Sequence, residues 1–315
     1  MSGHGDLGIE AHGVARSFGP AQALRGLDIT VPYGQVTALV GPNGAGKTTL
    51  LLILATLLAP DMGTVRIAGH DALTEPGRAR DALGWMPDTF GVYDQLTVDE
   101  YLAFFADAYG LPKAERPRRL RALLSLVHLD DRLGQPVHAL SRGQKQRLGL
   151  ARALVHHPRV LLLDELASGL DPRSRIELRD LLRSLAADGV AVLVSSHILS
   201  ELEEIADRVV LVDHGVTVGD HAMADITGAA ARVRWRIRSL DPGLLAEALT
   251  RALDGRTGLE PVSDLPGGAE AGPFTEAEAA GLLAELVAAD VPVTGLAPAG
   301  SALESAYLAM TDTRR

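Results

Sequence analysis

The chain has 315 residues, of which 47% are apolar, enough for one large domain plus a small one or for two of medium size. It contains no cysteine, which excludes disulfides and thiolate metal sites, and its formal charge of −10 argues against a general nucleic-acid binder, which carries a basic footprint. Of its 30 basic residues only Lys47, Lys113 and Lys145 are lysines, and Asn43 is its single asparagine.

The N-terminus MSGHGDLGIE shows no basic start followed by an apolar run, so no signal peptide is expected. The stretch GVARSFGPAQALRGLDITV reads as strand, turn, strand, an antiparallel layer. The runs VTALV, VLLLD, VAVLVSS and RVVLVD are short, rich in Val and Leu, and separated by helical patterns. That texture predicts buried parallel strands with crossover helices. The longest apolar run, Leu50 to Ala59, is too short to span a bilayer, which takes about 20 residues. The chain is therefore expected to be soluble, or held at a membrane by something else.

Residues 97–135 contain no strand pattern, and Pro112, Pro117 and Pro136 punctuate them. They predict a helical subdomain inserted at about 90–155. Beyond residue 222 the texture changes. ITGAAARVRWRIRS alternates Arg232, Arg234, Arg236 and Arg238 with apolar residues, as a half-buried strand does. The arginine face suits acidic lipid or a partner, or is a solvated face balanced by nearby acids. Helices are expected at 242–254 and 275–289, then VPVTGL, then a last helix in SALESAYLAMT, with PVSDLPGGAEAGP as a loop. Residues 1–222 are thus expected to form one domain and 223–315 a small α+β domain.

Gly41, Pro42, Asn43, Gly44, Ala45, Gly46, Lys47 and Thr48 spell G-x-x-x-x-G-K-[ST] in full, between a predicted strand and a predicted helix. The glycines let backbone N–H groups converge on phosphate oxygens, and the helix start adds partial positive charge. Lys47 is expected to bridge the β- and γ-phosphates and Thr48 to ligate Mg2+. VLLLDEL supplies a buried strand ending in two acids. Asp164 would hold Mg2+, and Glu165, one residue on, would polarise the attacking water as general base. A GTPase is excluded, because the guanine-selecting N-K-x-D motif needs an asparagine and the only one lies in the phosphate loop.

LSRGQ, at residues 140–144, is a second serine-glycine turn at a helix start, and Ser141 is a good helix cap. With it the chain resembles the ATPase subunits of ATP-binding cassette (ABC) transporters. The series runs GPNGAGKT, LSRGQ, LLLDE, SGLD ending at Asp171, and SSH ending at His197, in the family's order. The resemblance covers about residues 1–220. It implies an α/β P-loop NTPase core with an antiparallel β subdomain and the inserted helical subdomain.

The resemblance also implies roles. Ser141, Gly143 and Gln144 would cap the γ-phosphate of ATP bound to a second ATPase subunit, a homodimer being expected, with Asp171 at the seam. His197 would contact the γ-phosphate and the catalytic water. Phe18 would stack on adenine, Thr49 would join the nucleotide contacts, and Asp88 would take the metal-linking place usually held by glutamine. Arg142 replaces the usual first glycine of the signature, and Leu166 replaces a proline.

Such a subunit implies an integral-membrane permease as partner, no nucleic acid, and a peripheral place on the cytoplasmic face of the membrane. Seven of the twelve aromatics, Trp85, Phe90, Tyr93, Tyr101, Phe104, Phe105 and Tyr109, cluster within one short stretch. They form either a docking patch or, for Phe104 and Phe105, the core of the helical subdomain. The tail ALESAYLAMTD resembles the ending of type-2 exporter ATPases, including drug-resistance pumps. The alternative is a soluble ABC ATPase acting on ribosomes or DNA.

Overall fold

The structure, a computed structural model, describes residues 6–88, 91, 93, 95–165, 172–196, 198–228, 231–254, 262–265 and 267–312. It divides into two compact units, Met1–Asp220 and His221–Arg315.

The first unit begins with β1 (Leu7–Phe18), β2 (Ala21–Pro32), β3 (Val36–Val40), α1 (Lys47–Leu54), β4 (Met62–Ile67), β5 (His70–Asp71), α2 (Pro76–Asp81) and β6 (Leu83–Met86). Helices α3 (Val98–Ala108), α4 (Arg116–Leu126) and α5 (Arg142–Ala153) follow without a strand between them. The chain then alternates through β7 (Val160–Asp164), α6 (Pro172–Ala187), β8 (Ala191–Ser195), α7 (Leu199–Ile205), β9 (Arg208–Asp213) and β10 (Val216–Ala222).

Two sheets result, in the orders β2-β1-β4-β5 and β10-β9-β3-β8-β7-β6. The first pairs antiparallel along β1; in the second, β9, β3, β8, β7 and β6 run parallel. Every residue of β3 and β8 is buried, as a strand covered on both faces requires. One apolar cluster joins Ile9, Val14 and Leu27 of the antiparallel sheet to Leu50, Leu51 and Leu54 of α1 and Leu162 and Leu193 of the parallel sheet. Burying each such leucine is worth about 1.5–3 kcal/mol, so α1 is held firmly behind the loop that precedes it.

The α/β core, antiparallel layer and helical insertion match the expected fold class. The insertion is fastened to the core at β6. Tyr109 stacks on His156 with centroids 3.8 Å apart, and His156 Nε2 lies 3.1 Å from the Leu83 carbonyl. Burial lowers the His156 pKa to about 4, so the ring is neutral at pH 7 and donates through Nε2.

The second unit holds α8 (Met223–Thr227), β11 (Val233–Ser239), α9 (Pro242–Leu253), β12 (Val262–Leu265), β13 (Gly268–Phe274), α10 (Glu276–Ala288), β14 (Val293–Pro298) and α11 (Ala302–Asp312). Its sheet order, β12-β13-β11-β14, is that of the split βαβ arrangement. The expected loop PVSDLPGGAEAGP is instead a hairpin: β12 and β13 pair antiparallel around a turn in which Gly267 has φ +76°. Gly267 serves the turn and Gly268 the approach to β11. A Cβ at Gly268 would lie 2.3 Å from the Ile237 carbonyl oxygen. On β11 the alternation holds, with Val233 and Ile237 buried and Arg234, Arg236 and Arg238 exposed. Arg236 pairs with Glu270 at 2.6 Å and Arg232 with Glu278 at 3.1 Å, so acids balance much of the arginine face.

Candidate functional site

Parallel strands deliver their C-terminal ends to one edge, and the candidate site lies there. The loop after β3 turns directly into α1. The residue preceding α1, Gly46, is left-handed at φ +102°, and no side chain caps the helix. The first N–H groups of a helix have no intrahelical acceptor, so this start offers donors to an anion. Pro42, Asn43, Gly44 and Thr48 are exposed, Gly41, Lys47 and Thr49 are half-buried, and Ala45 is buried against the core. Lys47 Nζ donates to the carbonyls of Gly41, at 2.5 Å, and Pro42, at 3.1 Å. Burial lowers its pKa, while Glu165 and Asp164 act in the opposite sense.

Asp164 closes β7, and the register sets it opposite Ser195 at the end of β8. Ser195 Oγ donates to Asp164 Oδ1, and the Glu165 N–H donates to the Ser195 carbonyl at 3.0 Å. Glu165 turns the chain with φ +54°. Burial raises the Asp164 pKa above the usual carboxylate range. The Ser195 hydrogen bond and Lys47 lower it, and the charges of Glu165 and Asp88 raise it further. Lys47, Asp164, Glu165 and Asp88 therefore share one electrostatic neighbourhood, reached from three separate strands. Ser195 had no assigned role in the sequence; the chain shows a serine ending an apolar strand, and only the pairing of β7 with β8 sets it beside Asp164.

These residues suit a nucleotide with Mg2+. The uncapped helix start and Lys47 present donors and positive charge. The exposed Thr48 hydroxyl and the Asp164 and Asp88 carboxylates are hard oxygen ligands, as Mg2+ prefers.

Phe18 ends β1 and is 50% exposed, with the Arg16 guanidinium 5.1 Å from its ring centroid. Ser141 caps α5: its Oγ accepts from Gln144 N at 3.3 Å, and Gln144 Oε1 accepts from Ser141 N at 2.9 Å. That capping box aims the α5 N–H groups, Gly143 among them, out of an exposed helix start where Ser141 and Arg142 lie open. Asp171, His197, Leu166 and Phe90 lie outside the described residues. Of the aromatic stretch, Tyr101 is fully buried, whereas Tyr93 and Phe104 are 54% and 47% exposed and meet edge to face at 5.3 Å. Phe104 is therefore surface, and Tyr101 is the core residue.

A family model described as ABC transporter matches residues 24–168. The daunorubicin/doxorubicin resistance ATP-binding protein DrrA of Streptomyces peucetius is 33% identical over 304 residues, 96% of this chain and 92% of that protein. The probable multidrug ABC transporter ATP-binding protein YbhF of Escherichia coli (strain K12) is 44% identical over 193 residues, 61% of this chain and 33% of that longer protein. A solved ATP-binding subunit of an ABC transporter superposes with a TM-score of 0.65 at 31% identity, covering 69% of this chain and 91% of that one. With phosphate loop, acidic strand end and capped signature helix joined to a likeness along nearly its whole length, the chain belongs to the ABC transporter family, as one of its ATP-binding ATPases.

Proposed function

We propose that the protein hydrolyses ATP at the edge formed by β3, β7 and β8 and that this energises a membrane exporter. The observation carrying the reading is the convergence of Lys47, after β3, with Asp164 and Glu165, at the end of β7, on one electrostatic neighbourhood at the phosphate loop. Lys47 exchanges its loop carbonyls for β- and γ-phosphate oxygens. Backbone N–H groups of Gly44 to Thr49 surround the phosphates, and Phe18 stacks on adenine. Thr48, Asp164 and Asp88 would hold Mg2+, which when bound neutralises charge developing on the phosphates. Glu165 accepts the proton of the attacking water, and His197 steadies the γ-phosphate.

Ser141, Gly143 and Gln144 face outward and cap the nucleotide of a second copy of this chain, with Asp171 at the seam. The Ser141 hydroxyl accepts from Gln144 and still has its own proton to donate to a phosphate. ATP thus bridges two subunits, and hydrolysis releases them. The partner is an integral-membrane permease on the cytoplasmic face, for which the Tyr93–Phe104 edge is the docking patch. The names of DrrA and YbhF support export, and no helix among the described residues is long and apolar enough to cross a membrane.

The test is Glu165→Gln. It should bind ATP, lose about 10²- to 10⁴-fold in turnover, and elute as a dimer with Mg2+ and ATP, as a monomer without. Near-normal turnover of that variant removes Glu165 as general base.

A further inference from the structure

Ser141 caps the start of α5, so the orientation of the helix decides where Ser141 points. It packs on α3 and α4 of the helical insertion and on β6 at the edge of the parallel sheet. Its tie to α6 is different in kind. Arg147 Nη2 donates to Ser174 Oγ at 2.9 Å and to Glu177 Oε2 at 2.7 Å, both on α6. The pair is mostly shielded, Arg147 being 24% and Glu177 26% exposed. Arg173 holds the other Glu177 oxygen at 3.1 Å, which fixes the carboxylate as an acceptor. Beside this bridge lies a shallow surface recess lined by Leu126, Val127, Leu150, Leu178 and Leu181. Val127, Leu150 and Leu178 are buried beside it, so the bridge adds a directional, charge-assisted tie to an apolar contact.

Helix α6 is itself well fixed. Arg175 reaches Glu201 of α7 at 3.1 Å, and Arg183 donates to the Glu204 carbonyl at 2.8 Å. In sequence α6 begins one residue after Asp171, and α7 two residues after His197. One end of the Arg147 bridge therefore belongs to the signature helix and the other to a post rooted in the nucleotide-binding core.

We propose that Arg147 is a positioning residue of the composite nucleotide site: its bridge to Ser174 and Glu177 sets the angle at which α5 presents Ser141 to the nucleotide of the second copy. The proposal rests on the dimer reading above. It separates two quantities. A chain's affinity for its own nucleotide depends on the phosphate loop and is indifferent to the bridge. Dimer formation with ATP depends on it.

The experiment uses the full chain carrying Glu165→Gln, so that ATP persists. Dimerisation with Mg2+ and ATP is measured by analytical ultracentrifugation. Nucleotide affinity is measured on dilute monomer with a fluorescent ATP analogue. Arg147→Met is expected to weaken dimerisation about tenfold, within the range of such coupling effects, and to leave nucleotide affinity within about twofold. Glu177→Gln should weaken dimerisation likewise, and the double variant should be no weaker than either single one, since both remove one bridge. Arg147→Lys, which keeps the charge but not the planar guanidinium whose Nη2 meets both acceptors, should fall between. With Glu165 restored, Arg147→Met should lower kcat and leave KM unchanged.

Dimerisation of Arg147→Met equal to its parent overturns the proposal. So do additive losses in the double variant, or a matching loss of monomer nucleotide affinity, which would make Arg147 a general support of the fold. If the Glu165→Gln parent itself forms no ATP dimer, the dimer reading falls and this proposal with it, an outcome distinct from a dimer indifferent to Arg147.

Discussion

Asp164 shows how one residue's environment encodes its chemistry. Its carboxylate is half-buried at the end of β7, with Glu165 and Asp88 adding negative charge and Ser195 and Lys47 opposing. A carboxyl pKa raised in the folded state means that the native protein holds the proton more tightly than the unfolded chain. The stability this contributes is present below the ordinary carboxylate range and is lost as pH rises through the raised value. Ionised Asp164 therefore weighs against the nucleotide-free fold. Asp164→Asn keeps an acceptor for Ser195 and removes the charge. Its nucleotide-free Tm at pH 7 should exceed that of the parent. The difference should close as pH falls to about 4, the ordinary aspartate range, and the stabilisation by Mg2+ and ATP should disappear. A melting series in pH, with and without nucleotide, reads all three; an Asn variant that melts lower at pH 7 contradicts the argument. At this scale the sequence showed Asp164 and Glu165 by motif. It did not show Ser195 as their partner, because that pairing exists only in the register of β7 against β8.

At the scale of the element, the phosphate loop divides into positions that need glycine for conformation and positions that need it for space as well. Gly44 is left-handed at φ +84°, but a Cβ there meets nothing within 4 Å. Gly46 is left-handed at φ +102°, and its Cβ would lie 2.6 Å from the Ala23 carbonyl oxygen and 2.7 Å from Leu24 Cδ2. Gly44→Ala should therefore cost about 1–2 kcal/mol of backbone strain and retain measurable nucleotide binding. Gly46→Ala must also push α1 away from β2, and should lose nucleotide binding altogether. Calorimetric titration with ATP, beside chemical denaturation, separates the two, and equal losses would refute the steric account. The G-x-x-x-x-G-K-T pattern made the loop legible, since flanking hydrophobic runs already specified strand and helix. The β12–β13 hairpin was not legible. Glycine and proline mark turns and close strand approach alike, and only the pairing across β13 distinguishes them.

In the whole molecule, each unit has its own apolar cluster. One is built from Ile9, Leu50, Leu162 and their neighbours; the other joins Ile237, Leu249, Phe274 and Leu286. A unit with its own core can fold alone. Residues 1–220 should melt cooperatively and bind ATP within about threefold of the full chain, and residues 221–315 should show a folded α+β circular dichroism spectrum. A fragment 1–220 that shows no cooperative transition would mean that the second unit completes its core. The aromatic stretch between Trp85 and Tyr109 belongs to this scale too. Its composition left core and surface open, and packing resolved them by burying Tyr101 and exposing Phe104.

The sequence by itself determined the class of chemistry and the class of fold. A phosphate loop, a strand ending in Asp164 and Glu165, and a capped serine-glycine turn are local patterns, and local spacing specifies backbone conformation and donor placement without long-range help. Tertiary structure alone decided which distant side chains meet. The Ser195 hydroxyl on Asp164, the reach of the Asp88 charge into the same site, and the Arg147 bridge from α5 to α6 each join residues tens of positions apart. Their encounters depend on sheet register and helix packing, which arise from burying the whole core at once and leave no mark in any single window of the chain.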